Sequence, residues 1–127
     1  MDNFREFQAG PDPFGRTFHV WFKYLQTAIS IRHSDSVDVC FVLESDGEKS
    51  EKTVVIRNAD IRAYAKRTGR PLNDAWCSRL AMCKLRSVVE TAEDIEKFYI
   101  ALTAREIEEY DAAIKKWEQD WPKTHAA

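Results

Sequence analysis

Lys52-Thr53-Val54-Val55-Ile56-Arg57-Asn58-Ala59-Asp60-Ile61-Arg62-Ala63-Tyr64-Ala65 is the stretch in which the apolar period of the chain changes from two to 3.6. Up to Arg57 the run is rich in β-branched side chains, which suit a pleated strand. Beyond Asn58, a residue type that caps helices, Ile61, Tyr64, Ala65 and Thr68 recur on one helical face, and Gly69 marks a stop. A chain that changes period near its middle reads as α+β, with strands first and helices after.

Working toward the N-terminus, Ser45-Asp46-Gly47-Glu48-Lys49-Ser50 carries an Asp-Gly hairpin signal. Before it, Val37, Val39, Phe41 and Leu43 alternate with Asp38, Cys40, Val42 and Glu44, the clearest strand pattern in the chain. His33-Ser34-Asp35-Ser36 is a polar turn, expected to be a loop of three residues so that Ile29 and Ile31 oppose the odd-numbered valines. Phe18, Val20, Phe22 and Tyr24 alternate with His19, Trp21 and Lys23, after which the apolar parity moves to Leu25, Thr27, Ile29 and Ile31. A bulge in one strand and a tight turn between two both fit that switch. Residues 1–15, closed by Gly10-Pro11-Asp12-Pro13-Phe14-Gly15, read as an irregular arm pinned by Phe4, Phe7 and Phe14. The first half is thus an antiparallel meander of three or four strands over residues 16–57.

Toward the C-terminus, Arg70-Pro71-Leu72 is a connector, and Asn73 caps a helix over 74–90 with Cys77, Leu80, Ala81, Leu85 and Val88 on its apolar arc. Thr91 with Asp94 and Thr103 with Glu106 have capping-box spacing, which predicts helices over 92–102 and 104–121. Ile95, Phe98, Tyr99 and Leu102 form the stripe of the first. Ile107, Tyr110, Ile114, Trp117 and Trp121 form a narrow seam on the last, facing either the sheet or the same helix of a second chain in a homodimer. About four helices over 58–121 therefore pack on the sheet in one domain spanning 1–127.

Composition bounds the function classes. At 127 residues, 44% hydrophobic and 31% charged, the chain has enough burial material for one core and no apolar run that spans a bilayer. No basic cluster with a following apolar run opens the chain, so a cytoplasmic location without a membrane partner is expected. Cys40, Cys77 and Cys83 are an odd set without CxxC spacing and read as free thiols. Residues 57–86 hold eight basic residues against Asp60 and Asp74, whereas residues 87–127 hold five against ten acidic ones. Such blocks are either the halves of an internal charge match or a footprint for an anionic partner.

No phosphate loop, dinucleotide fingerprint, GxSxG or His-Glu-x-x-His motif occurs, and no cofactor is called for. Five weaker candidates remain. His33, Asp35 and Asp38, imidazole and carboxylates around one turn, have the donor types for a divalent metal. His19, Trp21, Arg32 and Asp38 share a strand face on which Trp21 offers a stacking surface and Arg32 a bidentate donor for a polar ligand. Arg62, Lys66, Arg67, Arg70, Arg79 and Arg86 form a basic set for an anion or nucleic acid, against an isoelectric point near 5.9 that is low for that role. Cys83 stands on the line of Arg79 and Arg86, which favours a thiolate, and Lys84 lies on an apolar arc where it must snorkel, pair or sit neutral. The expectation is a small interaction or ligand-binding module, self-associating and non-catalytic, with an unidentified protein or small-molecule partner. An anion or nucleic-acid adapter over 57–86 and a small enzyme or metalloprotein at His33/Asp35/Asp38 are the alternatives.

Overall fold

The alternation over Val37–Glu44 requires a strand with one oily face, and the computed structural model builds a sheet around it. It describes residues 3–28 and 35–125, apart from the side chains of residues 28 and 121–125. The elements are β1 (Glu6–Ala9), β2 (Phe18–Ala28), β3 (Ser36–Ser45), β4 (Glu48–Arg57), α1 (Asn58–Thr68), α2 (Asp74–Thr91), β5 (Tyr99–Leu102) and α3 (Ala104–His125). The sheet order is β1-β2-β3-β4-β5, antiparallel from β1 to β4 and parallel between β4 and β5. Parallel pairing needs a long crossover, and α1 with α2 is that crossover.

The α+β class stands, with corrections of detail: five strands in place of three or four, and three helices in place of about four. The arm over 1–15 contains β1, an edge strand whose Phe7 and Ala9 point into the core while Glu6 and Gln8 face out. The helix expected over 92–102 does not form. Thr91 ends α2 with its hydroxyl donating to Ser87 O, and Ala92 and Asp94 take positive φ values of 58° and 62° that no helix propagates. The chain then runs out as β5, in which Ile100 and Leu102 are buried and Tyr99 and Ala101 exposed.

The parity switch in β2 is a bulge at Lys23. Phe22 opposes Phe41, but Tyr24 opposes Cys40, so Lys23 is the extra residue and the strand continues to Ala28. Tyr24 is thereby turned to the face opposite Phe18, Val20 and Phe22, while Leu25 and Thr27 turn inward opposite Val39 and Val37. The turn expected over 33–36 falls largely outside the described residues.

One buried cluster joins the layers: Val20, Val39, Phe41, Leu43, Val54, Ile56, Ile100 and Leu102 from the sheet meet Ile61, Leu80, Ala81, Leu85 and Val89 from α1 and α2. α3 lies across α1 and α2 and inserts Ile107 and Ile114. Its start is a reciprocal capping box, Thr103 N donating to Glu106 Oε1 at 3.0 Å and Glu106 N to Thr103 Oγ1 at 3.2 Å. Asn73 caps α2 as expected, accepting from Trp76 N at 2.8 Å, and Gly69 ends α1 with φ 74°. Asn58 is instead the first residue of α1, after Arg57.

The two charge blocks meet across the α3 interface. Arg67 pairs with Glu108, Lys84 with Glu106, and Arg70 with both Glu118 and Asp111. Asp111 is fully buried, accepting from Tyr64 Oη at 2.6 Å, Trp76 Nε1 at 2.8 Å and Arg70 Nη2 at 3.0 Å. Burial pushes this carboxyl up, but the Tyr64 and Trp76 hydrogen bonds and the charges of Arg70 and Lys115 outweigh it, so its pKa lies below the ordinary 3.8.

Asp111→Asn, which faces donors with a donor and leaves Arg70 short of a charge, should lower unfolding free energy by about 3 kcal/mol near neutrality. Because the folded pKa is depressed, the carboxylate's contribution is complete above 3.8 and lost as pH falls through the folded value. Denaturation curves for the two proteins should therefore converge on acidification; a constant gap across that range contradicts the assignment.

Candidate functional site

The helices cover one face of the sheet. On the other, register sets four cross-strand rows: Gln8-His19-Glu44-Lys49, Glu6-Trp21-Val42-Glu51, Tyr24-Cys40-Thr53-Tyr99 and Gln26-Asp38-Val55-Ala101. In the middle of this surface Cys40 is 0% and Thr53 2% exposed, flanked in the register by Tyr24, Tyr99, Val42 and Val55. Tyr99 itself is 64% exposed and stacks edge-on with exposed Phe98, their ring centroids 4.8 Å apart. Thr53 Oγ1 is buried with no hydrogen-bond partner among the described residues.

Charges ring the apolar middle. His19 Nε2 lies 2.8 Å from Glu6 Oε1, Lys23 pairs with Glu51, and Glu44 opposes Lys49. Lys49 Nζ stands 5.7 Å from the centre of the Trp21 ring, and the His19 ring is tilted against it at 5.4 Å. Side-chain hydrogen bonding to Glu51 raises the pKa of Lys23, with desolvation opposing. An apolar centre within a rim of both signs is the composition of a protein-docking surface.

The structure places His19, Trp21 and Asp38 of the sequence-predicted ligand face on this surface. Trp21 is flanked by His19 and Lys49 rather than open for stacking, and Asp38 is buried, accepting from Ser36 Oγ at 2.9 Å. Arg32 and His33 lie outside the described residues. Of the remaining metal candidates, Asp35 gives its backbone carbonyl to Asn58 N at 2.8 Å, and no group of three His, Cys, Asp or Glu able to hold a metal occurs among the described residues.

The six basic residues are not gathered toward one ligand. Arg67 and Arg70 are held by α3 carboxylates. Arg79 lies over the rings of Phe4 and Trp117, and Arg86 over Phe7. Arg62 and Lys66 are exposed on α1. The seam on α3, read as facing either the sheet or a second chain, packs in part within its own chain. Ile107 and Ile114 are fully buried in their own chain, Tyr110 packs against the core, and Trp117 takes the Arg79 guanidinium 4.9 Å from its ring centre. The Trp121 side chain lies outside the described residues.

Lys84 pairs with Glu106 at 2.6 Å, which explains a lysine on an apolar arc. The Arg79/Arg86 line does not activate Cys83: burial pushes its thiol up to about 11 despite Arg86, and Cys77 up to about 12. Sequence reasoning missed Phe98 and Tyr99, which a helix over 92–102 would have buried in its stripe, and Lys52, whose phase with Val54 and Ile56 was a readable signal. No protein-family model, curated protein or solved structure matches this chain.

Iodoacetamide at mildly alkaline pH should modify Cys77 and Cys83 in the folded protein about tenfold more slowly than a peptide thiol, the smaller thiolate fraction outweighing higher intrinsic nucleophilicity. Peptide mass spectrometry reads the rates; a Cys83 as fast as the peptide overturns the burial argument.

Proposed function

We infer that the protein is a non-catalytic interaction module that associates with a second copy of itself through the helix-free face of the sheet. The observation that carries this reading is the pair of exposed rings Tyr24 and Tyr99, 37% and 64% accessible at the two ends of the row Tyr24-Cys40-Thr53-Tyr99, with half-buried Val42 and Val55 beside it, on the sheet face opposite the core of the described residues. Self-association rather than a foreign partner is favoured by the rim, where Lys23, Lys49 and Arg57 alternate with Glu6, Glu44 and Glu51. A surface carrying both signs around an apolar strip is complementary to its own copy turned by half a rotation. Burial of Ile107 and Ile114 of the α3 seam within the chain favours this face as the place for a homodimer. Thiols held protonated and the absence of a catalytic motif favour binding over catalysis.

Tyr99→Lys and Val42→Arg place charge in the strip without touching the core. Sedimentation equilibrium should show the wild type as a concentration-dependent dimer and both variants as monomers, with unchanged far-UV circular dichroism. A wild type monomeric at every concentration overturns the reading.

A further inference from the structure

Strand parity sets Lys52 on the covered side of the sheet, opposite Phe41 and in phase with Val54 and Ile56, and only 9% of the residue is exposed. Two other cations drawn inward have carboxylates: Arg70 has Asp111 and Glu118, and Lys84 has Glu106. Lys52 has none among the described residues. Its ammonium donates to the backbone carbonyl of Ile95 at 2.5 Å, and Glu96 acts on it only through space. Burial holds its pKa below the ordinary lysine value, the mark of a charge short of a partner. A buried ammonium whose one hydrogen bond goes to a neutral carbonyl is a place for an anion from outside.

Lys52 lines a cleft of about 340 Å³ beneath the β3–β4 hairpin, a volume suited to a small ligand. Phe18, Leu43 and Ile95 give it apolar walls. Arg16 also lines it with its charge matched by Asp12, the Lys49 ammonium is turned away toward Trp21, and the exposed Asp46 and Glu48 stand on the hairpin, so Lys52 is the cation of the cleft left without a carboxylate contact among the described residues. Arg16 is fixed there by Asp12, which accepts from its backbone N at 2.8 Å and its Nε at 2.9 Å. Gly10 permits this loop, since a Cβ at that position would sit 2.8 Å from Arg16 O.

We propose that this cleft binds a monocarboxylate with a short apolar body, the carboxylate on the Lys52 ammonium and the body against Phe18, Leu43 and Ile95. A single unmatched ammonium offers one charge-assisted contact, which suits a monoanion better than a phosphate dianion, and three apolar walls give the body a place that inorganic phosphate would leave empty.

The test titrates the isotope-labelled full chain with hexanoate, hexanol and inorganic phosphate, following the resonances of Phe18, Leu43 and Ile95. Hexanoate should produce saturable shifts at all three, with hexanol and phosphate weaker. Lys52→Met should weaken hexanoate binding about tenfold or more, the loss of one charge-assisted hydrogen bond. An apolar residue of similar length should leave the variant folded, with a melting temperature equal to or above that of the wild type. Lys52→Gln, which keeps a donor for Ile95 O without the charge, should lose hexanoate in the same way. Absence of saturable shifts, hexanol or phosphate binding as well as hexanoate, or unchanged hexanoate affinity in both variants overturns the site.

Discussion

The burial of one sheet face under α1 and α2 is the interaction on which the rest of the structure depends. Each large side chain removed from water there contributes about 1.5–3 kcal/mol, and Phe41, Leu43, Ile56, Leu80 and Leu85 are all fully enclosed. A strand has only two faces, so this burial fixes where every other residue of β2, β3 and β4 points. Slipping one strand by a single residue would send Val39, Phe41 and Leu43 into water. The Lys23 bulge shows how strictly the chain keeps this rule: where the apolar phase of β2 slips by one, an extra residue absorbs the slip and pairing resumes with Leu25 and Thr27 inward.

Electrostatics then separates what is internal from what is left over. Arg67, Arg70 and Lys84 of the basic block meet Glu106, Glu108, Asp111 and Glu118 of the acidic block where α3 crosses α1 and α2, with buried Asp111 tying both helices and the Arg70 connector to one point. That match uses two of the six cations that the sequence offers to an anionic partner, Arg67 and Arg70, and leaves Arg62 and Lys66 exposed. The strip between Tyr24 and Tyr99 and the cleft at Lys52 are further surfaces among the described residues, and neither is announced by a motif.

Legibility followed the length and regularity of each pattern. β3 was readable because its alternation over Val37–Glu44 leaves one solution, the second half of β4 because Thr53–Ile56 is rich in β-branched side chains, and the starts of α2 and α3 because Asn73 and the Thr103/Glu106 box act locally. β1 and β5 have four residues each, too few for a period to declare itself. Ile95, Phe98, Tyr99 and Leu102 also satisfy a helical stripe, and only the left-handed backbone at Ala92 and Asp94 breaks it. Parity alone put His19, Trp21 and Asp38 on one face. The α3 seam shows the limit of such patterns: a stripe specifies that something covers it, not whether the cover comes from the same chain. Lys52 was written in the phase of Val54 and Ile56, but the loss of its carboxylate partner exists only in three dimensions.

One-sided coverage of the sheet is tested most directly by solvent paramagnetic relaxation of valine methyl groups, using a soluble gadolinium chelate on the Tyr99→Lys variant. Val55 and Val42 should relax quickly and Val54 and Val39 slowly, neighbours on single strands differing by the face they occupy. Equal relaxation of Val54 and Val55, or fast relaxation of Val39, would contradict the fold and the surfaces inferred from it.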